Sequence, residues 1–218
     1  MSTGVGARGK FITIEGIEGV GKTTNLQWVR QCLSEQGLEV VTTREPGGTP
    51  LAEQIRELLL TPRDDVMDAT AELLLVFAAR AQHLASLIKP GLQAGKWVLC
   101  DRFTDATFAY QGGGRGLDQD TICTLESLVQ EDLRPDLVIL LDIQPELGLS
   151  RARRRSKPDR FEQEAVAFFS RVRQAYLRRA ASDPERYLII DAGQPLADVQ
   201  RNIHNGLLDF CRRSGGAI

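Results

Sequence analysis

Residues 11–23 read FITIEGIEGVGKT. Phe11, Ile12, Thr13 and Ile14 have the composition of a buried strand and run through Glu15 into a stretch that holds Gly16, Gly19 and Gly21. Glycine weakens helices and strands alike, so three of them where a strand must become a helix answer to something other than local stability. The stretch satisfies G-x-x-x-x-G-K-[ST] in full, with Gly16, Gly21, Lys22 and Thr23 at the specified places. A helical pattern of Leu26, Val29, Arg30 and Leu33 follows. Backbone N–H groups from Gly16, Ile17, Glu18, Gly19, Val20 and Gly21, continuing into Lys22, Thr23 and Thr24, are expected to line one concavity with the positive end of the helix. Such a nest binds phosphate oxygens. Lys22 is expected to bridge the β- and γ-phosphates of ATP, and the Thr23 hydroxyl to ligate Mg²⁺. The competing reading, a glycine-rich turn with a solvated lysine, loses weight because a strand and a helix flank the loop on the correct sides.

Working outward, four more runs have the composition of strands: Val40 to Arg44, Trp97 to Asp101, Leu137 to Asp142 and Tyr187 to Asp191. Leu137 to Leu141 is continuously apolar, which a strand covered on both faces requires. Segments of helical period lie between the strands, over roughly 22–36, 50–60, 69–93, 118–131, 146–155, 161–182 and 196–213. Alternation of this kind predicts an α/β fold of three layers, a parallel sheet with helices on both sides. Acids gather at the strand ends, at Glu15, Asp101, Asp142 and Asp191, where open α/β sheets place their ligands. The run Gln111-Gly112-Gly113-Gly114-Arg115-Gly116 reads as a mobile or closely approached loop.

A chain of 218 residues supports one sizeable core. A single domain is expected over 10–213, between a disordered tail at 1–9 and a short tail at 214–218. Lys and Arg (27) nearly balance Asp and Glu (29), which removes the bulk electrostatic case for binding nucleic acid or an anionic membrane. Cys32, Cys100, Cys123 and Cys211 form no metal-binding spacing and are expected as small buried hydrophobes in a reducing cytoplasm. No apolar run approaches the roughly 18 residues of a membrane span, so a soluble intracellular protein is expected.

A phosphate loop alone does not separate ATPase, GTPase and kinase, although no N-K-x-D run is present to read guanine. Arg44, Arg56, Arg80 and Arg102, with a cluster from Arg151 to Arg155 and Arg160, could serve a second anionic partner. An acceptor carrying its own phosphate is already ionised and needs no general base, and His83 and His204 lie in no recognisable catalytic setting.

The phosphate loop, then Arg44-Glu45-Pro46-Gly47-Gly48-Thr49, Asp101-Arg102-Phe103, Tyr110 to Arg115, and Asp159-Arg160-Phe161-Glu162 closely resemble bacterial thymidylate kinases in order and spacing. The resemblance runs from about Lys10 to Arg213. It implies a P-loop nucleoside monophosphate kinase with strand order 2-3-1-4-5, homodimeric, transferring the γ-phosphoryl of ATP to dTMP with Mg²⁺. By the same resemblance Arg102 and Arg56 grip the acceptor phosphate, and Asp101 helps to hold the metal and its waters. Arg80 meets the thymine carbonyl, Thr107 reads the base edge with Gln111 beside it, and Tyr110 leaves no room for a ribose 2′-hydroxyl. Glu45 and Glu18 match carboxylates on the sugar side. Glu18 in the loop resembles the form of the family whose transition-state arginine comes from a lid, here about 151–159, with Arg153 and Arg155 as the candidates. The family stacks a ring one turn before the arginine on the base; here that position is Val76, and Phe77 is the nearest ring. Phe77 is expected either to stack after a small rotation or to be ordinary core. Two other readings stay open from sequence: a kinase for another pyrimidine nucleotide, and a nucleotide-binding protein without turnover.

Overall fold

The computed structural model describes residues 8–154 and 159–213. The proposed tails at 1–9 and 214–218 therefore lie almost wholly outside the described residues, as do Arg155 and most of the C-terminal part of the proposed lid.

Five strands, β1 (Phe11–Glu15), β2 (Val40–Arg44), β3 (Trp97–Asp101), β4 (Leu137–Asp142) and β5 (Tyr187–Asp191), form one sheet in the order β2-β3-β1-β4-β5, every pair parallel. Burial follows position in the sheet. All of β1 is buried, as are the first five residues of β4 and the first four of β3, whereas the edge strands β2 and β5 expose alternate residues. A central parallel strand has neighbours on both sides and helices on both faces, so mostly apolar side chains suit it; Thr13 and Glu15 are the buried polar residues of β1. The chain fills the sheet on one side of β1 before crossing to β4 on the other, which leaves a crevice beyond the carboxyl ends of β1, β3 and β4.

Helices α1 (Lys22–Glu35) and α2 (Pro50–Leu60) follow β1 and β2. Thr49 caps α2 by accepting from the Ala52 N–H, and Pro50 fills the first turn, where its missing donor costs nothing. Helix α3 (Ala69–Gln93) is capped by Asp68 and includes a wide π-helical turn at Leu84–Ile88. By length and composition it is apolar enough to cross a membrane, which short apolar runs taken singly did not reveal. It packs instead against the sheet and the neighbouring helices, and its polar residues Glu72, Arg80 and His83 are buried and paired within the fold.

The glycine run is not a loop. Helix α4 (Thr104–Thr107) continues into a π-helical turn, Phe108–Gly114, which packs along α7 (Val166–Ser182). Absent side chains make this contact possible: a Cβ on Gly113 would lie 2.7 Å from Ala175 Cβ, and one on Gly114 2.5 Å from the Phe168 ring. Helix α5 (Gln119–Gln130) precedes β4, and α6 (Pro145–Arg153) follows it. The α7 helix begins at Val166 rather than near 161, because Asp159 Oδ1 accepts the N–H groups of Phe161 and Glu162 and holds that stretch as a turn. Helix α8 (Leu196–Arg213) closes the fold. Three cysteines are buried as expected; Cys123 is exposed, on the outer face of α5.

Candidate active site

The loop after β1 takes its shape from positive φ angles at Gly16, Gly19 and Gly21 (135°, 74° and 84°). At Gly19 the close approach is of backbone to backbone, since a Cβ there would lie 1.9 Å from the carbonyl oxygen of Gly148 on α6. Ile17 and Val20 are buried and anchor the loop in the core. Lys22 lies back across it, donating to the carbonyls of Gly16 and Ile17 at 3.1 and 2.8 Å. Burial, with Arg102 nearby, lowers the Lys22 pKa to about 8. Thr23 and Thr24 are exposed in the first turn of α1.

Asp101 ends β3 beside Ile14 of β1 and Arg44 of β2, and its Oδ1 is buried with no hydrogen-bond partner among the described residues. Arg102 follows with φ of 68°, a left-handed conformation that costs free energy outside glycine. Its backbone N–H donates to Ile14 O at 3.0 Å, which fixes the turn. The guanidinium enters the crevice, donating to Glu18 Oε1 at 2.7 Å and to the Tyr176 hydroxyl at 3.2 Å, with its carbon 4.7 Å from the centre of the Tyr110 ring. Tyr110 in turn donates to Glu18 Oε2 at 2.6 Å. Beneath this group, Tyr176 donates to Glu15 at 2.9 Å, and the Phe103 N–H reaches the same carboxyl at 2.7 Å. Full burial, reinforced by Asp105, pushes the Glu15 pKa up to about 8.

Across the crevice Arg80 is almost wholly buried. Its Nε donates to Glu45 at 2.7 Å and its Nη2 to the Thr107 hydroxyl at 2.8 Å and Phe103 O at 3.2 Å, while Nη1 has no partner among the described residues. His83, buried, sits 3.0 Å from the other Glu45 oxygen and 2.6 Å from the Thr43 hydroxyl, so it orients that carboxylate and has a structural place, as expected. Arg56 reaches in from α2, donating to Pro46 O at 2.8 Å. One continuous cleft is lined by Glu18, Gly19, Gly21, Lys22 and Thr23 at the loop, by Asp101, Arg102, Arg56 and Glu45 in the middle, and by Val76, Arg80, Thr107, Tyr110 and Gln111 at the far end. Thr107, Tyr110 and Gln111 stand at i, i+3 and i+4 where α4 continues into the π-helical turn.

Two expected residues are elsewhere. Phe77 is core, not cleft: at i−3 from Arg80 its ring lies on the inner side of α3, packed with Leu73, Phe108 and Ile122, 4.9 Å beneath the guanidinium, and Val76 lines the cleft in its stead. Arg153 ends α6, exposed and outside the cleft lining.

The segment Asp159 to Glu162 contributes three side chains to the cleft, and other contributors carry no motif. Phe161 closes the cleft wall with its ring 5.7 Å from that of Tyr110, edge to face, and Asp159 and Glu162 line the same rim. Glu72 stands in an apolar helical run, where a charged side chain needs a partner, and that is the signal by which it could have been found. Tyr176 gives no such signal, because a tyrosine on an amphipathic helix is ordinary, whereas Glu15 shows in the sequence only as one of the acids at the strand ends.

A glycine-cradled lysine facing an arginine-lined crevice at the carboxyl edge of a parallel sheet defines a P-loop phosphotransferase of the nucleoside monophosphate kinase class. Comparison with known proteins narrows the class: the thymidylate kinase family model matches residues 14–203. The thymidylate kinase of Pseudomonas savastanoi pv. phaseolicola is 63% identical over 195 residues, 89% of this chain and 93% of that one. That of Pseudomonas putida W619 is 62% identical, over 93% and 99% of the two chains. The crystal structure of the enzyme from Ehrlichia chaffeensis superposes with a TM-score of 0.75 at 35% identity, covering 92% of this chain and 99% of that one. The chain belongs to the thymidylate kinase family.

Proposed function

We propose that the protein transfers the γ-phosphoryl group of ATP to dTMP, giving dTDP and ADP, in the cytoplasm and as a homodimer. The observation that carries the reading is the single cleft joining the phosphate loop to a buried donor at its far end, with Arg56 and Arg102 between them. ATP phosphates occupy the loop from Gly16 to Thr24, and Lys22 exchanges its loop carbonyls for phosphate oxygens. Arg102 and Arg56 hold the dTMP phosphate, the Glu18 contact of Arg102 giving way to a charge-assisted bond of the same kind. Glu45 keeps Arg80 aimed, and Arg80 Nη1 donates to the base carbonyl. Tyr110, tied to Glu18, walls off the 2′ side of the sugar. Arg153 or Arg155, from the lid, stabilises the charge on the transferring group; phosphoryl transfer asks for positioning and positive charge, not for a proton-abstracting side chain.

The residues present suit Mg²⁺: Asp101 Oδ1, without a partner among the described residues, and the exposed Thr23 hydroxyl are hard oxygen ligands bordering one cleft. Mg²⁺ usually takes one or two protein oxygens and completes its shell with water and phosphate. When bound, the ion neutralises charge on the β- and γ-phosphates. Four free cysteines support a reducing compartment. The dimer reading is supported by adjacent helices α2, α3 and α5, which expose Leu58, Leu74 and Leu128 by 49%, 52% and 75%.

A coupled assay of ADP release with dTMP, dUMP, dCMP, UMP and dGMP tests the substrate. dTMP should give the highest kcat/KM, and a preference for any other acceptor would overturn the assignment. Binding of ATP without ADP release in any of the five would instead leave a nucleotide-binding protein without turnover.

A further inference from the structure

Glu72, in the first turn of α3, is fully buried and takes three partners. Its Oε1 accepts Gln111 Nε2 at 2.8 Å and Arg115 Nε at 3.4 Å; its Oε2 accepts Arg160 Nη2 at 2.6 Å and lies 3.4 Å from Arg115 Nη2. Glu164 also receives Arg115, so two carboxylates balance two guanidinium groups. The Gln111 amide is the uncharged member of the cluster, and the charges are matched without it.

A carboxylate can only accept. Gln111 must therefore turn its NH₂ toward Glu72, and the orientation of its amide, ambiguous for a glutamine among neutral neighbours, is fixed by the chemistry of that partner. Its oxygen carries no hydrogen bond among the described residues, on a side chain that lines the cleft beside Thr107 and Tyr110. Arg80 Nη1, in the same end of the cleft, is a donor without a partner among the described residues.

We propose that Glu72 is a positioning residue for base selection: by holding the Gln111 NH₂ it leaves an acceptor, rather than a donor, for the pyrimidine N3 position. This rests on the reading of the cleft as a dTMP site. An acceptor beside a donor complements the N3–H and the C4 carbonyl of thymine. Cytosine reverses both, with a bare N3 and an amino group, and would leave the Gln111 oxygen and Arg80 Nη1 facing like groups. Sites built around such a pattern reject the wrong edge because buried polar atoms are left unpaired.

Glu72→Gln keeps the shape while supplying a donor. The new amide can keep Arg160 on its oxygen and offer its NH₂ to Gln111, whose own amide then rotates and turns a donor to the base. The ratio of kcat/KM for dTMP over dCMP should fall about tenfold or more, with KM for ATP unchanged. The exchanged pair, Glu72→Gln with Gln111→Glu, returns an acceptor to position 111 and should recover dTMP preference relative to the single variant. A Glu72 that served only to anchor the arginines would slow both nucleotides by one factor, with no recovery in the exchanged pair, and that result overturns the proposal. If Glu72→Gln does not fold, Gln111→Met takes its place, since it leaves Glu72 with both arginines; it should lose the preference, and unchanged preference overturns the proposal. A wild-type protein that does not distinguish dTMP from dCMP removes the dTMP reading itself, and this positioning role with it.

Discussion

Arg102 concentrates the cost of the site in one residue. Its backbone is held at positive φ, and its guanidinium is shared between Glu18 and Tyr176 in the middle of the cleft. Strain at such a position persists only when the surroundings over-determine it. Arg102→Ala is expected to weaken dTMP binding at least about tenfold by removing a charged hydrogen bond, while ATP affinity stays close to that of the wild type; calorimetric titration of each nucleotide checks both. Lys22→Ala should instead lower kcat by about 10³-fold with little change in dTMP affinity, because its proposed partner is the phosphate in transfer. Equal loss of dTMP affinity would reassign it to ground-state binding.

Glu15 and Lys22 also make opposite contributions to stability across pH. The Glu15 pKa is raised in the fold to about 8, so between the unfolded value of 4.5 and 8 the native state holds the extra proton, and this contribution to stability declines as pH rises through that window. The Lys22 pKa is lowered from 10.5 to about 8, so from 8 to 10.5 the unfolded state holds the extra proton and stability gains as pH rises. Glu15→Gln, which resembles the neutral carboxyl, should match the wild-type Tm near pH 5 and gain on it progressively toward pH 8. A difference that stays constant in thermal melts across that range would show that Glu15 does not titrate there.

At the scale of elements, the π-helical turn at Phe108–Gly114 and helix α6 set the position of the site. Gly113→Ala would drive a methyl group to 2.7 Å from Ala175 Cβ and 3.0 Å from Arg171 O on α7. Urea unfolding should show a loss of about 1–3 kcal/mol, the usual cost of overpacking, and KM for dTMP should rise as Tyr110 and Gln111 shift with the turn. Gly148→Ala would place its methyl 2.6 Å from the Glu18 carbonyl oxygen, so the phosphate loop itself must move. There the expected rise is in KM for ATP. Neither glycine announces this in sequence: Gln111 to Gly116 has the composition of a loop, and only the surface of α7 makes it a helix that nothing larger fits. The strands were legible because their demands are local and strict. Short apolar runs bounded by polar residues, such as Leu137 to Leu141 between Asp136 and Asp142, suit a doubly covered strand, and all five strand ranges agree with the sequence reading.

For the molecule as a whole, charge is balanced and the acids and arginines that matter are drawn to one edge of the sheet. Leu74→Glu, on the exposed part of α3, should shift sedimentation from dimer to monomer if the faces of α2, α3 and α5 pair between copies; an unchanged sedimentation coefficient at micromolar concentration would remove that face from the interface. What the sequence determined by itself was the phosphate loop, the sheet and the family to which its motifs belong, since these depend on patterns of neighbouring residues. Tertiary structure alone decided that Phe77 is core while Val76 faces the cleft, that Arg153 stands outside the cleft, and that Glu72 fixes the Gln111 amide. Those outcomes turn on which side of a helix meets which neighbour and on partners brought together from distant parts of the chain, and spacing along one segment does not specify either.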